Sequence, residues 1–142
     1  MAWKKSKSKM KIGLIFNNQL WKTISHNMEQ YKRACVAYII GLTERNNISS
    51  VFEYETGRFH LYSSTGNENN IQVFDLQRNN MIAGTMSSLY DFSTNSFISI
   101  TRNGKSFTGY DLMSNCFFSA SLNGNIITIF DSEDNRYHTY SM

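Results

Sequence analysis

The 142-residue chain contains no proline. Average usage of about 5% would place roughly seven in this length, so the absence suits a backbone whose amides are nearly all needed in helix or ladder. Cysteine is scarce. Cys35 and Cys116 stand 81 positions apart, with no zinc-ligand spacing and no disulfide framework, and a reducing, cytoplasmic compartment is the expectation. No stretch approaches the roughly 18 unbroken apolar residues of a membrane helix, and IGLIF after the basic start is too short for a secretory core. No H-x-x-H, C-x-x-C, HExxH or G-x-S-x-G occurs, and no glycine loop of the phosphate-binding kind. The sequence therefore offers no catalytic residue, metal ligand or cofactor site. Apolar residues at 41% and charged residues at 18% still suffice for a core and place the chain outside the disordered class.

Charge divides the chain. Residues 1–50 carry nine Lys/Arg and two Glu; residues 51–142 carry five Lys/Arg and nine Asp/Glu. Lys4, Lys5, Lys7, Lys9 and Lys11 alternate with other residues and read as a basic, mobile arm over 1–11 that attracts phosphates without reading sequence. Residues 12–142 read as a single domain. Its first part, 12–47, is helical: Leu20, Ile24, Met28, Tyr31, Cys35, Tyr38 and Leu42 fall on one stripe, with Glu29, Lys32, Arg33 and Glu44 off it. The pattern predicts one long helix, with a break near Ser25–Asn27 and a stop at Asn46-Asn47.

From residue 48 the chain repeats. An aromatic residue, an acid, and a hydrophobic residue seven places after the first recur as Phe52-Glu53 with Phe59, Phe74-Asp75 with Met81, Tyr90-Asp91 with Phe97, Tyr110-Asp111 with Phe117, and Phe130-Asp131 with Tyr137. The offset predicts five hairpins with four-residue loops, the acids at the loop mouths bonding to amides ahead of them. Glu53 would face Arg58, and Asp131 would face Arg136, as cross-strand ion pairs. Between motifs, turns centred on Asn103-Gly104 and Asn123-Gly124 would place 97 opposite 110 and 117 opposite 130; Gly66-Asn67 and Thr85-Met86 would do the same for 59 with 74 and 81 with 90. The fold class that follows is α+β: an N-terminal helix packed on an antiparallel meander of about ten short strands, strongly curved or barrel-like.

Alternation then sorts the faces. Residues such as Val51, Val73, Ile82, Leu89, Ile98 and Ile129 make the core face. The other face gathers Phe52, Phe59, Phe74, Tyr90, Phe97, Tyr110, Phe117, Phe130 and Tyr137 into one lateral aromatic ribbon beside a Ser/Thr field. Such a ribbon either stabilises the sheet from outside or docks a partner. His60 and His138 share a core rung and approach each other only if the sheet closes.

The segments V-F-E-Y-E-T-G-R-F, I-Q-V-F-D, L-Y-D-F and G-Y-D-L resemble small bacterial proteins with tandem aromatic–Asp–aromatic hairpins, over residues 48–142. The resemblance implies the hairpin fold and carries no activity. Glu55 to Phe59 is also similar to the YD repeats of secreted toxin shells, and the period near 20 to choline-binding hairpins. The expected function is a non-enzymatic interaction module acting on a protein partner or on itself through the ribbon. The alternative is a nucleic-acid-associated protein using Lys4, Lys5, Lys7, Lys9 and Lys11 with sheet aromatics for stacking.

Overall fold

The structure is a computed structural model and describes residues 28–142. The basic arm and the helical stripe before Met28 lie outside the described residues. One helix, α1 (Gln30–Leu42), precedes ten strands: β1 (Ser50–Glu53), β2 (Arg58–Asn67), β3 (Asn70–Asp75), β4 (Asn80–Thr85), β5 (Ser88–Asp91), β6 (Ser96–Asn103), β7 (Ser106–Asp111), β8 (Cys116–Asn123), β9 (Ile126–Asp131) and β10 (Arg136–Ser141). Consecutive strands pair antiparallel and β10 pairs back onto β1, so the meander closes into a barrel.

Inside each motif the register follows the sequence. Phe52 faces Phe59, Phe74 faces Met81, Tyr90 faces Phe97, Tyr110 faces Phe117 and Phe130 faces Tyr137. Each four-residue loop ends in a left-handed residue: Gly57, Asn79, Asn95, Asn115 or Asn135, with φ between 52° and 69°. Glycine pays no steric penalty there, and asparagine tolerates it better than other side chains do. This left-handed position, five residues after every aromatic, is a further element of the repeat.

Between motifs the register differs from the sequence expectation. Tyr110 lies opposite Ser99 rather than Phe97, Phe130 opposite Ser119 rather than Phe117, and Tyr90 opposite Ala83 rather than Met81. Those ladders are displaced by two residues. Phe74 lies opposite Ser63, a displacement of four, and the closing pair sets Phe52 against Ser141. The turns move accordingly: Asn103 pairs with Ser106 and Asn123 with Ile126. Gly104 and Gly124 then take the first central position with positive φ, the pattern of a type II′ turn. The physical reason is closure. A sheet joins its own edge only if strands tilt and the register staggers around the ring. Every displacement is even, so the two faces survive and only the continuity of the aromatic ribbon is lost.

Closure also changes the helix. Rather than lying across a sheet on one stripe, α1 is buried on all sides: every residue from Lys32 to Gly41 is buried. Its neighbours bond to strands spread around the barrel, from β1 through Gln30, β2 through Tyr38, β5 through Tyr31 and β7 through Lys32. The helix therefore occupies the lumen. Thirteen residues at about 1.5 Å each give roughly 20 Å, half the length that the stripe from Leu20 implied. Ala34 and Ala37 are fully buried, and Tyr38 stacks on Tyr62 at 4.5 Å between ring centroids. Because Met28 and Gln30 bond Asp131 and Glu53 at the mouths of their loops, the end holding the five four-residue loops surrounds the helix N-terminus.

Candidate functional site

The five acids of the repeat point inward, and four of them meet α1 or the residues leading into it. They share the parity of the core residues two places before them, and all are at most 5% exposed: Glu53, Asp75, Asp91, Asp111 and Asp131. Three take the expected turn role, while Glu53 and Asp111 accept instead from the hydroxyls of Thr56 and Ser114. Asp75 Oδ1 accepts from the backbone N–H of Gln77 and Arg78, Asp91 Oδ1 from Ser93, and Asp131 Oδ1 from Glu133. Asp75 stops at its own loop, while Glu53, Asp91, Asp111 and Asp131 also reach the helix or the residues leading into it. Lys32 Nζ lies 3.1 Å from Asp111 Oδ1 and 3.6 Å from Asp91 Oδ2. Arg33 approaches Asp131 Oδ2 at 3.7 Å, and the backbone N–H of Met28 donates to the same oxygen at 2.9 Å. Gln30 Nε2 donates to both oxygens of Glu53. Each carboxylate thus caps its own loop, seats the helix, or does both.

This ring costs several kcal/mol per ion to desolvate and holds only because the carboxylates are hydrogen-bonded or paired. At Asp91, burial pushes the pKa up, but the amide of Asn80, both donors of Ser93 and the Lys32 charge outweigh it and hold the group below the usual aspartate range. Burial raises the Cys35 thiol well above its ordinary value and pushes Cys116 up to about 11, so neither is a poised nucleophile. Among the described residues no three metal-ligating side chains form a group that could hold an ion.

Two expected ion pairs are replaced. Glu53 stands opposite Arg58 in register, yet its carboxylate takes His60 Nε2 at 2.8 Å and Thr56 Oγ1 at 3.0 Å. Arg136 stands opposite Asp131 but pairs with Glu55 from the β1–β2 loop. The reason is the same in both cases. Glu53 and Asp131 point into the lumen, where nearer partners on the helix and the inner wall compete for them. Closure brings His138 to the β1–β10 seam, where its ring nitrogens meet Glu55 at 3.1 Å and Asp134 at 2.9 Å. Both histidines are held by carboxylates, not by each other.

Outside the ring, the aromatic residues form four stepped pairs, and Phe74 faces Met81 in the fifth motif. Centroids lie 4.9 Å apart for Phe52–Phe59, 5.0 Å for Tyr90–Phe97, 4.6 Å for Tyr110–Phe117 and 4.8 Å for Phe130–Tyr137. One member of each is well exposed, with Phe59, Phe97, Phe117 and Tyr137 between 45% and 72%; Phe52, Phe74, Tyr90, Tyr110 and Phe130 are half-buried. The sequence reading missed their neighbours. Tyr54, Leu76, Phe92 and Leu112, two places after four of the five aromatics, are more than half exposed. They share the outward parity, which was the available signal. Together these side chains make an apolar belt around the acid end. Residues 28–142 carry eight Lys/Arg against eleven Asp/Glu, a net −3 that opposes a nucleic-acid backbone on the barrel itself. The five arm lysines lie outside the described residues.

No family model, no curated protein and no solved structure matches the chain. Function is therefore argued from the site alone.

Proposed function

We propose that this protein is a non-enzymatic interaction module whose apolar belt docks a second copy of the same chain. The observation that supports the reading is the belt: Phe59, Phe117 and Tyr137 at 60%, 66% and 72% exposure, with Tyr54, Phe92 and Leu112 beside them. So many large apolar side chains exposed at one end of a barrel are uncommon on a monomer. The charges at the same rim favour self-association. Glu55, Glu133 and Asp134 stand among Arg58, Arg78 and Arg136, a mixture of both signs that suits an isologous contact better than a strongly charged partner. Burying about 600 Å² of apolar surface contributes roughly 15 kcal/mol at 25 cal/mol/Å², and association costs about 4–15 kcal/mol. The expected contact is a reversible dimer, not an obligate one.

Sedimentation velocity across a concentration series tests this. The wild type should shift towards dimer as concentration rises, and Phe97→Ser with Phe117→Ser should stay monomeric with an unchanged far-ultraviolet spectrum. A wild type that remains monomeric throughout would overturn the proposal.

A further inference from the structure

We propose that the cleft between the first turn of α1 and the strands and loops around β2 and β3 binds a small oxyanion, a phosphate or carboxylate group carried on a planar ring. The cleft encloses about 480 Å³ and is lined by Tyr31, Arg58, Phe59, His60, Gln77 and Arg78, with Glu29 and Gln30 at the helix side. That volume lies in the usual range for small-molecule sites.

Unspent positive charge is what distinguishes it. Of the eight Lys/Arg among the described residues, Lys32, Arg33, Arg102, Lys105 and Arg136 are in ion pairs with carboxylates. Arg45, Arg58 and Arg78 are in none, and two of these three line this one cleft. Residues 1–27 contain no Asp or Glu, so that segment supplies no carboxylate to neutralise them. Arg58 lost its expected partner because Glu53 is taken by His60, Thr56 and Gln30. Glu29 lines the same cleft and pairs with neither arginine.

The walls are already arranged. The Arg78 guanidinium lies over the Tyr31 ring, 3.9 Å from its centroid, and the Tyr31 hydroxyl is tied to Ser93 and Asp91 at 3.0 and 3.3 Å. Gln77 donates to the Phe59 carbonyl and accepts from the Leu61 N–H, at 3.1 and 3.2 Å. Stacking on Tyr31 restrains one fork, so less side-chain entropy is lost when it binds. Guanidinium forks match the planar or tetrahedral geometry of carboxylate and phosphate oxygens. The exposed Phe59 ring supplies a stacking surface for the group that carries the anion.

The test is a titration of the ¹⁵N-labelled protein, at a concentration where it is monomeric, with phenyl phosphate, benzoate and inorganic phosphate in turn, reading the arginine side-chain N–H signals. Saturable shifts are expected at Arg58 and Arg78 and not at Arg45, with Kd below about 1 mM for the better of the two ring-bearing anions. Inorganic phosphate should bind several-fold more weakly. The ranking of phenyl phosphate against benzoate decides which oxyanion the site prefers. Arg58→Gln with Arg78→Gln should weaken binding at least about tenfold, and Arg78→Lys should retain the charge yet lose most of the affinity. Both side chains are exposed, and the Arg78 N–H that caps the β3–β4 loop is unaffected by substitution. No saturation by about 10 mM, an equal response at Arg45, or full affinity in the double variant would each overturn the proposal.

Discussion

The two ends of the barrel are closed by opposite means. At the acid end, five four-residue loops follow a buried carboxylate, four of these acids meet the helix or the residues leading into it, and four of the loops carry large exposed apolar side chains. At the far end, short turns connect β2 to β3, β4 to β5, β6 to β7 and β8 to β9. There the helix finishes at a small apolar hollow of about 100 Å³ among Ile39, Leu42, Ile71 and Met86. One end is held by charge, the other by contact. A buried ion pair is a poor source of net stability, but removing one partner is expensive. The acid end should therefore be the sensitive one, and its repeated acid fixes where the helix sits along the barrel axis.

The largest expected effect comes from breaking that asymmetry. Lys32→Met leaves Asp91 and Asp111 buried without their cation, and should lower unfolding free energy by about 3–5 kcal/mol in a urea titration. The same change at Lys105, which meets Glu44 at 3.8 Å across exposed surface near the far end, should stay within about 0.5 kcal/mol. Equal costs at both sites would mean that the helix is not seated by the acids.

Acid should act next, and on one end. The Asp91 carboxyl is held low in the folded chain: burial opposes the shift, and Asn80, Ser93 and Lys32 overcome it. Asp134 is lowered as well, burial again opposing, by the hydrogen bond and charge of His138. A group whose folded pKa is depressed adds stability above its unfolded value near about pH 4, and that stability disappears as pH falls through the folded value. The urea midpoint should therefore be flat above pH 4 and drop below it. Asp91→Asn should reduce the slope of that drop; an unchanged slope would remove Asp91 from the account.

Turn chemistry should treat the two ends alike. Asn115 at the acid end and Gly104 at the far end both have positive φ, 60° and 66°, and a Cβ at Gly104 meets nothing within 4 Å. Asn115→Ala and Gly104→Ala should each cost about 1–2 kcal/mol in thermal or chemical unfolding, from backbone strain alone. Gly109 is different. A Cβ there would sit 2.1 Å from the Phe118 ring and 2.5 Å from the Ser99 carbonyl, so Gly109→Ala should cost more than either, through overpacking at about 1–3 kcal/mol added to no gain.

The sequence reading succeeded where the signal was local. An aromatic, an acid and a hydrophobic residue at fixed offsets mark each hairpin, so five within-motif registers and both faces were legible. It failed where the signal belonged to the ring as a whole. Turns centred on Asn103-Gly104 and Asn123-Gly124 are locally reasonable, and only closure selects the two-residue displacement. Lys32 and Arg33 were placed off the apolar stripe, where charged residues usually meet solvent. Their burial is intelligible only once Asp91, Asp111 and Asp131 are seen to point inward. That parity was present in the pattern, since Asp111 and Asp131 stand two places from the core residues Gly109 and Ile129. The belt at Tyr54, Leu76, Phe92 and Leu112 was equally available by parity.

The central claim is that α1 occupies the lumen and is seated by the acids of the repeat. Native-state hydrogen exchange of the amides from Val36 to Leu42, read residue by residue, tests it most directly. A helix enclosed by ten strands opens only when the barrel does, so these amides should exchange with the same free energy as the most protected amides of β8 and β9. Helix amides that exchange by a separate, lower-energy opening while the strands stay protected would contradict the account.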